Sequence, residues 1–339
     1  MRHMYILFVM IALISCSGPI RKVGDSTHNN SDKITSDKSL PGPDESSKTK
    51  DPSPSAKYQN QWQTYAKMPF PNNAFAIEGD QEMVFLAGGY TPAGYSKAFF
   101  SYNVATNTWK RLPDLPNPRA GLTLTLVGKY LYALGGVNQK GATKQLDIFD
   151  LDKNEWLEGP PMIQERFQHS TILYGQDIWV CGGLPSKKEV EYFSLECRSW
   201  QKGPELKYGR DSHRSVLLSG KLHLLGGKNI TIQNEIASLN ASKNLWEYNF
   251  QLPASRFGFF SLNYNELILI LGGFRDTTAT SYFGDVFLFH LSQGTMQPLK
   301  GLPSGLANFG AYRYKNQIYV FGGRNHQGIQ DTVWRMDID

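Results

Sequence analysis

Residues 118–161 read PRAGLTLTLVGKYLYALGGVNQKGATKQLDIFDLDKNEWLEGPP, and this stretch decides the fold. After Pro118-Arg119, Gly121 to Val127 alternates as a strand and Gly128-Lys129 turns the chain. Tyr130 to Leu134 then forms a second, apolar strand that ends at Gly135-Gly136. A polar loop from Val137 to Lys144 leads into a third strand, Gln145 to Leu151. Asp152-Lys153-Asn154 makes another turn, and Glu155-Trp156-Leu157 begins a fourth strand before Gly159-Pro160-Pro161. Four short antiparallel strands in one contiguous unit form the blade of a β-propeller.

The unit repeats along the chain. Gly-Gly pairs stand at Gly88-Gly89, Gly135-Gly136, Gly182-Gly183, Gly226-Gly227, Gly272-Gly273 and Gly322-Gly323, spaced 44 to 50 residues apart. A period of that size belongs to repeat architectures rather than to one wound core. Trp109, Trp156, Trp200 and Trp246 each follow a Gly-Gly pair by about 20 residues and precede a proline. A large ring at a fixed place on an outer strand reads as a wedge between neighbouring blades. In the fifth unit Met296 takes this place, and methionine can fill the same gap with less specificity. The sixth unit stops without an outer strand, whereas Trp62 stands seven residues before Pro69 with no inner strands ahead of it. The N-terminal strand is therefore expected to complete the last blade and seal the ring. The fold class that follows is all-β: a six-bladed propeller closed by its N-terminal strand.

Apolar strand, Gly-Gly, an aromatic strand such as Leu146-Asp147-Ile148-Phe149, and Trp before Pro together resemble the kelch repeat over about Tyr58 to Asp339. The tyrosine that kelch repeats often place before the tryptophan is kept only in part, as Tyr102 and Tyr192.

The first residues carry a different signal. Arg2 and His3 precede an apolar stretch from Tyr5 to Ile14, about half the length a bilayer-spanning helix needs, so it reads as a signal-peptide core. It ends in Leu13-Ile14-Ser15-Cys16, which resembles the bacterial lipobox. By that resemblance Cys16 becomes the lipidated N-terminus of the mature chain, and Ser17 points to outer-membrane sorting in a Gram-negative host. Residues 16–57 are rich in Ser, Asp, Lys, Pro and Thr and poor in large apolar side chains. They read as a solvated tether with a span of roughly 35 Å. The expected organisation is a signal peptide at 1–15, a lipidated tether at 16–57 and the propeller at 58–339. Cys181 and Cys197 fall at opposite ends of neighbouring strands, too far apart to bridge, and both are expected as free, mostly buried thiols.

The propeller reading also selects the residues near the axis. Arginine opens the inner strand in four units, as Arg119, Arg166, Arg210 and Arg256, with Asn73 and Asn308 expected at the matching places in the other two. Two readings stay open for these arginines. They either bond loop carbonyls and brace the blades, or ring a pore mouth and attract carboxylates through bidentate forks. Tyr90, Lys228, Phe274, Arg275 and Arg324 follow Gly-Gly pairs and join the candidate ligand-binding face, with Phe274 and Arg275 as the expected exposed anchors. His169 and His213 each stand three residues after an arginine in adjacent units. With Arg166 and Arg210 they are the weak candidates for proton transfer, while no third ligand recurs to make a metal site.

Function follows more loosely. A net charge of +5 without a concentrated basic face argues against nucleic-acid binding. Gly-rich phosphate loops, nucleophile elbows and paired Cys-x-x-Cys spacing are missing from the sequence, so no cofactor is expected. The resemblance implies a monomeric, non-catalytic binding module on a bacterial cell envelope, held to the membrane by its lipid. Its partner would be a protein or glycan, and anionic groups on it would fit the likeness to kelch propellers that bind acidic peptides at this face. The rival it implies is a sugar-modifying enzyme of the sialic-acid mutarotase type, with acid and base groups at the pore mouth.

Overall fold

The alternating and apolar segments of each repeat pair into a four-stranded antiparallel sheet, and there are six such sheets. The structure is a computed structural model that describes residues 61–338. Blade 1 comprises Ala76–Asp80, Met83–Ala87, Phe99–Asn103 and Thr108–Leu112, from the axis outward. Blade 2 comprises Thr123–Val127, Tyr130–Leu134, Leu146–Asp150 and Glu155–Glu158. Blade 3 follows with Ser170–Tyr174, Asp177–Cys181, Val190–Ser194 and Ser199–Lys202, and blade 4 with Arg214–Leu218, Lys221–Leu225, Glu235–Leu239 and Trp246–Gln251. Blade 5 comprises Phe260–Tyr264, Leu267–Leu271, Val286–His290 and Thr295–Pro298. The inner strands touch in ring order, and the first touches the sixth. Helices are absent from the described residues.

Blade 6 is built from both ends of the chain. Gly310–Tyr314, Gln317–Phe321 and Val333–Asp337 are completed by Gln63–Thr64, with Gln63 opposite Arg335 and Thr64 opposite Trp334. Tyr65 and Met68 extend the seal by donating to the carbonyls of Val333 and Asp331. The ring thus leaves no open edge at the join of head and tail, as expected.

The second and third strands of each blade are covered on both faces by neighbouring blades, which is why they read as apolar runs rather than alternations. Leu131, Ala133, Leu134, Ile268, Leu269 and Ile270 are fully buried. The outer strands are largely exposed, and there the tryptophans do more than fill space. The indole Nε1 of Trp156 donates to Pro113 O, that of Trp200 to Pro160 O and that of Trp246 to Pro204 O, each at 2.8 Å. Trp109 reaches Ala66 O and Trp62 reaches Lys300 O in the same way. Each of these bonds pins a blade to the one before it. Met296 does not fill the corresponding gap: it is 56 % exposed, so the seam between blades 4 and 5 lacks both the wedge and the bond.

The Gly-Gly pairs mark the closest approach between blades. Gly135 has φ 58°, and a Cβ there would stand 2.5 Å from the carbonyl oxygen of Arg166 in the next blade. The adjacent Gly136 N–H donates to that same oxygen at 2.8 Å. The other five pairs meet the carbonyls of Arg119, Arg210, Arg256, Leu306 and Asn72 in the same manner.

The cysteines differ from expectation in part. Cys181 is free and buried, and burial pushes its thiol up to about 12, so it is an inert core residue. Cys197 is only half-buried, so the expectation of a mostly buried thiol holds for Cys181 alone. The expected signal peptide, lipidation site at Cys16 and tether lie outside the described residues.

Candidate functional site

At the face where the Gly-Gly pairs emerge, the loop after each second strand pairs with the segment that opens an inner strand. Asn73 bridges Tyr90, Ala120 bridges Val137, Asp211 bridges Lys228, Phe257 bridges Phe274 and Ala307 bridges Arg324; in blade 3, Arg166–Phe167 pairs with Leu184–Pro185. The geometry that the repeat predicts for this face is therefore present.

The four arginines do not line it. Arg119, Arg166 and Arg210 are completely buried and Arg256 is nearly so. Arg119 meets Asp147 at 2.7 Å, and Arg166 donates to Glu191 at 2.7 Å and to the carbonyls of Gly182 and Glu189. Arg256 makes a fork to Asp285 at 3.0 and 2.9 Å and bonds Gly272 O. Arg210 uses the carbonyls of Leu224, Gly226 and Glu235. Each guanidinium thus ties the opening of an inner strand to its own blade, so the bracing reading holds and the anion-attracting ring is corrected. The signal was in the sequence: Asp147 and Glu191 each sit between apolar neighbours in a third strand, where an acid needs a buried partner. The carbonyl that accepts the Gly-Gly bond also fixes the matching residues in the other blades as Asn72 and Leu306, one and two positions before Asn73 and Asn308. Asn72 donates to Gly88 O at 2.8 Å, taking over the arginine's bond.

The two histidines are likewise interior. His169 Nε2 lies 3.0 Å from the Thr123 hydroxyl and His213 Nε2 lies 2.8 Å from the Ser170 hydroxyl, so each pins its blade to the preceding one. Burial, aided by Arg166 beside His169 and Arg210 beside His213, drives both imidazoles well below their ordinary range. They stay neutral at physiological pH and are spent on structure rather than proton transfer. No group of three or more His, Cys, Asp or Glu side chains could hold a metal ion among the described residues.

The rim residues divide. Tyr90 is 44 % exposed and Arg324 and Arg275 are exposed, although Arg275 packs over the Phe283 ring at 4.5 Å. Lys228 is half-buried and donates to Thr277 O at 2.7 Å, binding one loop to the next. Phe274 is only 2 % exposed and stacks on Phe257 with centroids 4.8 Å apart, so it anchors the loop internally and is not an exposed contact.

Sequence reasoning missed a cleft between the first two rim hairpins. Tyr90–Thr91 with Gly94–Tyr95, and Val137–Asn138 with Gly141–Ala142, flank a cavity of about 460 Å³. Tyr90 and Tyr95 form an edge-to-face pair with centroids 5.3 Å apart on one wall. Asn117, Asn138, Gln139 and Lys140 supply amide and ammonium groups on the other. Its only sequence signal was Tyr90 at a position where other repeats carry Val137, Leu184 or Lys228.

A second missed feature lies at the axis. Backbone N–H groups of Ala74, Asn308, Gly258, Ser212, Gln168 and Gly121 each donate to the carbonyl of the next residue in that order, and Gly121 donates back to Ala74. The six bonds of 2.7 to 2.9 Å close a ring, and all six residues have φ between 51° and 63°. This ring narrows the channel to a cavity of about 60 Å³ just inside the Gly-Gly face. Beyond it the inner strands enclose about 260 Å³, with Glu78, Arg214 and Arg313 among the lining side chains. Burial pushes the Glu78 carboxyl up to about 7, against the lowering effect of the Gly79 and Leu126 backbone bonds.

Comparison with known proteins yields the following. Residues 55–227 match the family described as the KLHDC2/KLHL20/DRC7 Kelch-repeats domain, and residues 306–339 match the Kelch motif. No curated protein matches the chain. Among solved structures, that of YjhT aligns with a TM-score of 0.68 at 18 % identity, covering 80 % of this chain and 96 % of that one. Such a likeness speaks for the shared fold alone.

Proposed function

Because this chain belongs to the kelch-repeat family, we propose that it is a non-catalytic binding module that holds a protein or glycan partner on its Gly-Gly face. The observation that carries the reading is the cleft between the first two rim hairpins. Its tyrosine pair offers rigid amphipathic area, and its amides offer adaptable hydrogen bonds, the combination that recognition surfaces use. Lys140 lines it, Arg275 and Arg324 are exposed on the same face, and these cations suit a partner with anionic groups. The lipobox at Cys16 and the tether after it support a monomer displayed from a bacterial envelope membrane, on the outer membrane in a Gram-negative host.

The sugar-modifying reading asked Arg166, Arg210, His169 and His213 to act at the pore mouth. All four are buried and spent on the bonds that hold the blades. Anomer exchange of sialic acid followed by NMR is expected to run at the uncatalysed rate. Acceleration lost in Arg166→Ala at intact fold would restore that reading.

The binding reading is tested with the purified mature chain on an array of envelope glycans and by pull-down from the envelope fraction. Tyr90→Ala with Tyr95→Ala is expected to weaken retention roughly tenfold or more, as loss of paired aromatic anchors does. Retention unchanged by that double variant and by Lys140→Ala would refute the cleft as the site.

A further inference from the structure

We propose that the central channel, on the far side of the backbone ring from the Gly-Gly face, is a binding site for a small carboxylate held by Arg214 and Ser261. The cavity of about 260 Å³ is walled by the inner strands of all six blades. It is smaller than the roughly 300–1,000 Å³ of drug-sized sites, so its ligand has only a few heavy atoms. Four ionisable side chains line it: Glu78, Arg214, Arg313 and Tyr312, whose hydroxyl donates to Gln81 O.

Arg313 is already committed, donating from Nε to Lys315 O and from Nη1 to Asn263 O. Arg214 is not. Its Nε donates to Phe259 O at 2.8 Å and its guanidinium lies flat on the Phe260 ring at 3.9 Å, so the fork is fixed in orientation. The two terminal amino groups bond to nothing among the described residues. The neighbouring inner strands place Thr123, Ser170 and Phe260 in the same register, so the arginine is particular to blade 4, and its Nε bond to Phe259 O ties that blade to blade 5 without using the rest of the fork. Of the wall hydroxyls, Thr123 and Ser170 meet histidines and Ser215 donates to Thr171 O, whereas the buried Ser261 hydroxyl has no partner among the described residues. A stacked, half-used guanidinium and an unpaired hydroxyl on the walls of one cavity match the donor set of a carboxylate.

Glu78 adds a condition. Around it stand Asp80 on its own strand, Tyr312 and Arg313 on the blade 6 inner strand, and Arg214 across the axis; the blade 2 inner strand Thr123–Val127 carries no titratable group. While protonated, Glu78 leaves both guanidinium charges uncompensated. Once ionised, it repels an anion.

The test is calorimetric titration of the full mature chain with sodium lactate in a carboxylate-free buffer at pH 6. One saturable site is expected. Arg214→Gln should weaken it at least tenfold, through loss of a charge-assisted fork. Ser261→Ala should weaken it about fivefold, through loss of one hydrogen bond. Raising the pH to 8 should weaken binding in the parent but not in Glu78→Gln. Absence of saturable binding, affinity unchanged in Ser261→Ala, or preference for inorganic phosphate over lactate would each overturn the proposal. Ser261→Ala decides the matter even where Arg214→Gln fails to fold, because the hydroxyl bonds to no described residue.

Discussion

Blades 3 and 6 occupy equivalent places in the ring and open their inner strands with different chemistry. Blade 3 uses Arg166 with its Glu191 counter-ion and His169 bonded to Thr123, whereas blade 6 uses Leu306 and Phe309 inside an apolar cluster with Leu302 and Phe260. The backbone between blades is nevertheless the same. Gly136 N–H reaches Arg166 O at 2.8 Å, and Gly273 N–H reaches Leu306 O at 2.8 Å. What a propeller seam demands is therefore the glycine contact and its carbonyl acceptor, and the side chain that steadies the acceptor can be a buried ion pair or a packed hydrocarbon. The arginines that suggest a ligand ring are one of two structural solutions to the same problem.

The comparison breaks most visibly at the ion pair. Arg166→Leu leaves the buried Glu191 carboxylate without its counter-ion, held only by the backbone N–H groups of Ile163 and Gln164, and should cost about 3–5 kcal/mol in urea denaturation. Adding Glu191→Leu should recover part of that loss, because it removes the stranded charge and imitates blade 6 while leaving the Ile163 and Gln164 N–H groups without their acceptor. Failure of the double variant to recover would show that the two blades are not equivalent solutions.

A somewhat smaller effect is expected from Glu78→Gln. The folded chain keeps a proton near pH 7 that the unfolded chain releases near 4.5, so the parent loses stability as pH rises through that window, by about 3 kcal/mol in all. The glutamine variant should be flat between pH 5 and 8, and therefore more stable than the parent at pH 8. Matching pH profiles for parent and variant would contradict the burial of this carboxyl.

The outer seams give the smallest changes. Trp200→Phe removes the bond to Pro160 O and should cost about 1 kcal/mol. Met296→Trp places an indole where Met296 is exposed and should gain a comparable amount by reaching the blade 4 linker as Trp246 reaches Pro204. Thermal melts of both variants check these signs, and a destabilised Met296→Trp would show that blade 5 is shaped for its methionine.

Much of this fold was legible because its requirements are local. Gly135-Gly136 announces a positive φ and a close approach, and Trp156 before Pro160 announces a seam. The pairing of Gln63–Thr64 with the last strand followed from the spacing of Trp62 and Pro69 and from the missing outer strand of the sixth unit. The site was less legible, because burial of a charge depends on partners far along the chain. Arg119 finds Asp147, and Arg256 finds Asp285, across loops whose course no local pattern dictates. Phe274 turned inward for the same reason, since Phe257 and Tyr282 flank it only after the rim loops have paired. The backbone ring through Ala74, Gln168 and Ser212 left no common residue type to read, because it is made of main-chain bonds.

The claim that matters most is that the Gly-Gly face engages the partner while its arginines hold the blades. Site-specific photocrosslinking in intact host cells tests it directly, with a photoreactive residue at Tyr90 or Lys140 on the rim and, as control, at Lys315 on the opposite hairpin turns. The account predicts a discrete adduct from Tyr90 and Lys140 that is absent from Lys315 and persists in the Arg166→Leu/Glu191→Leu background. No adduct from either rim position, or equal labelling from Lys315, would contradict it.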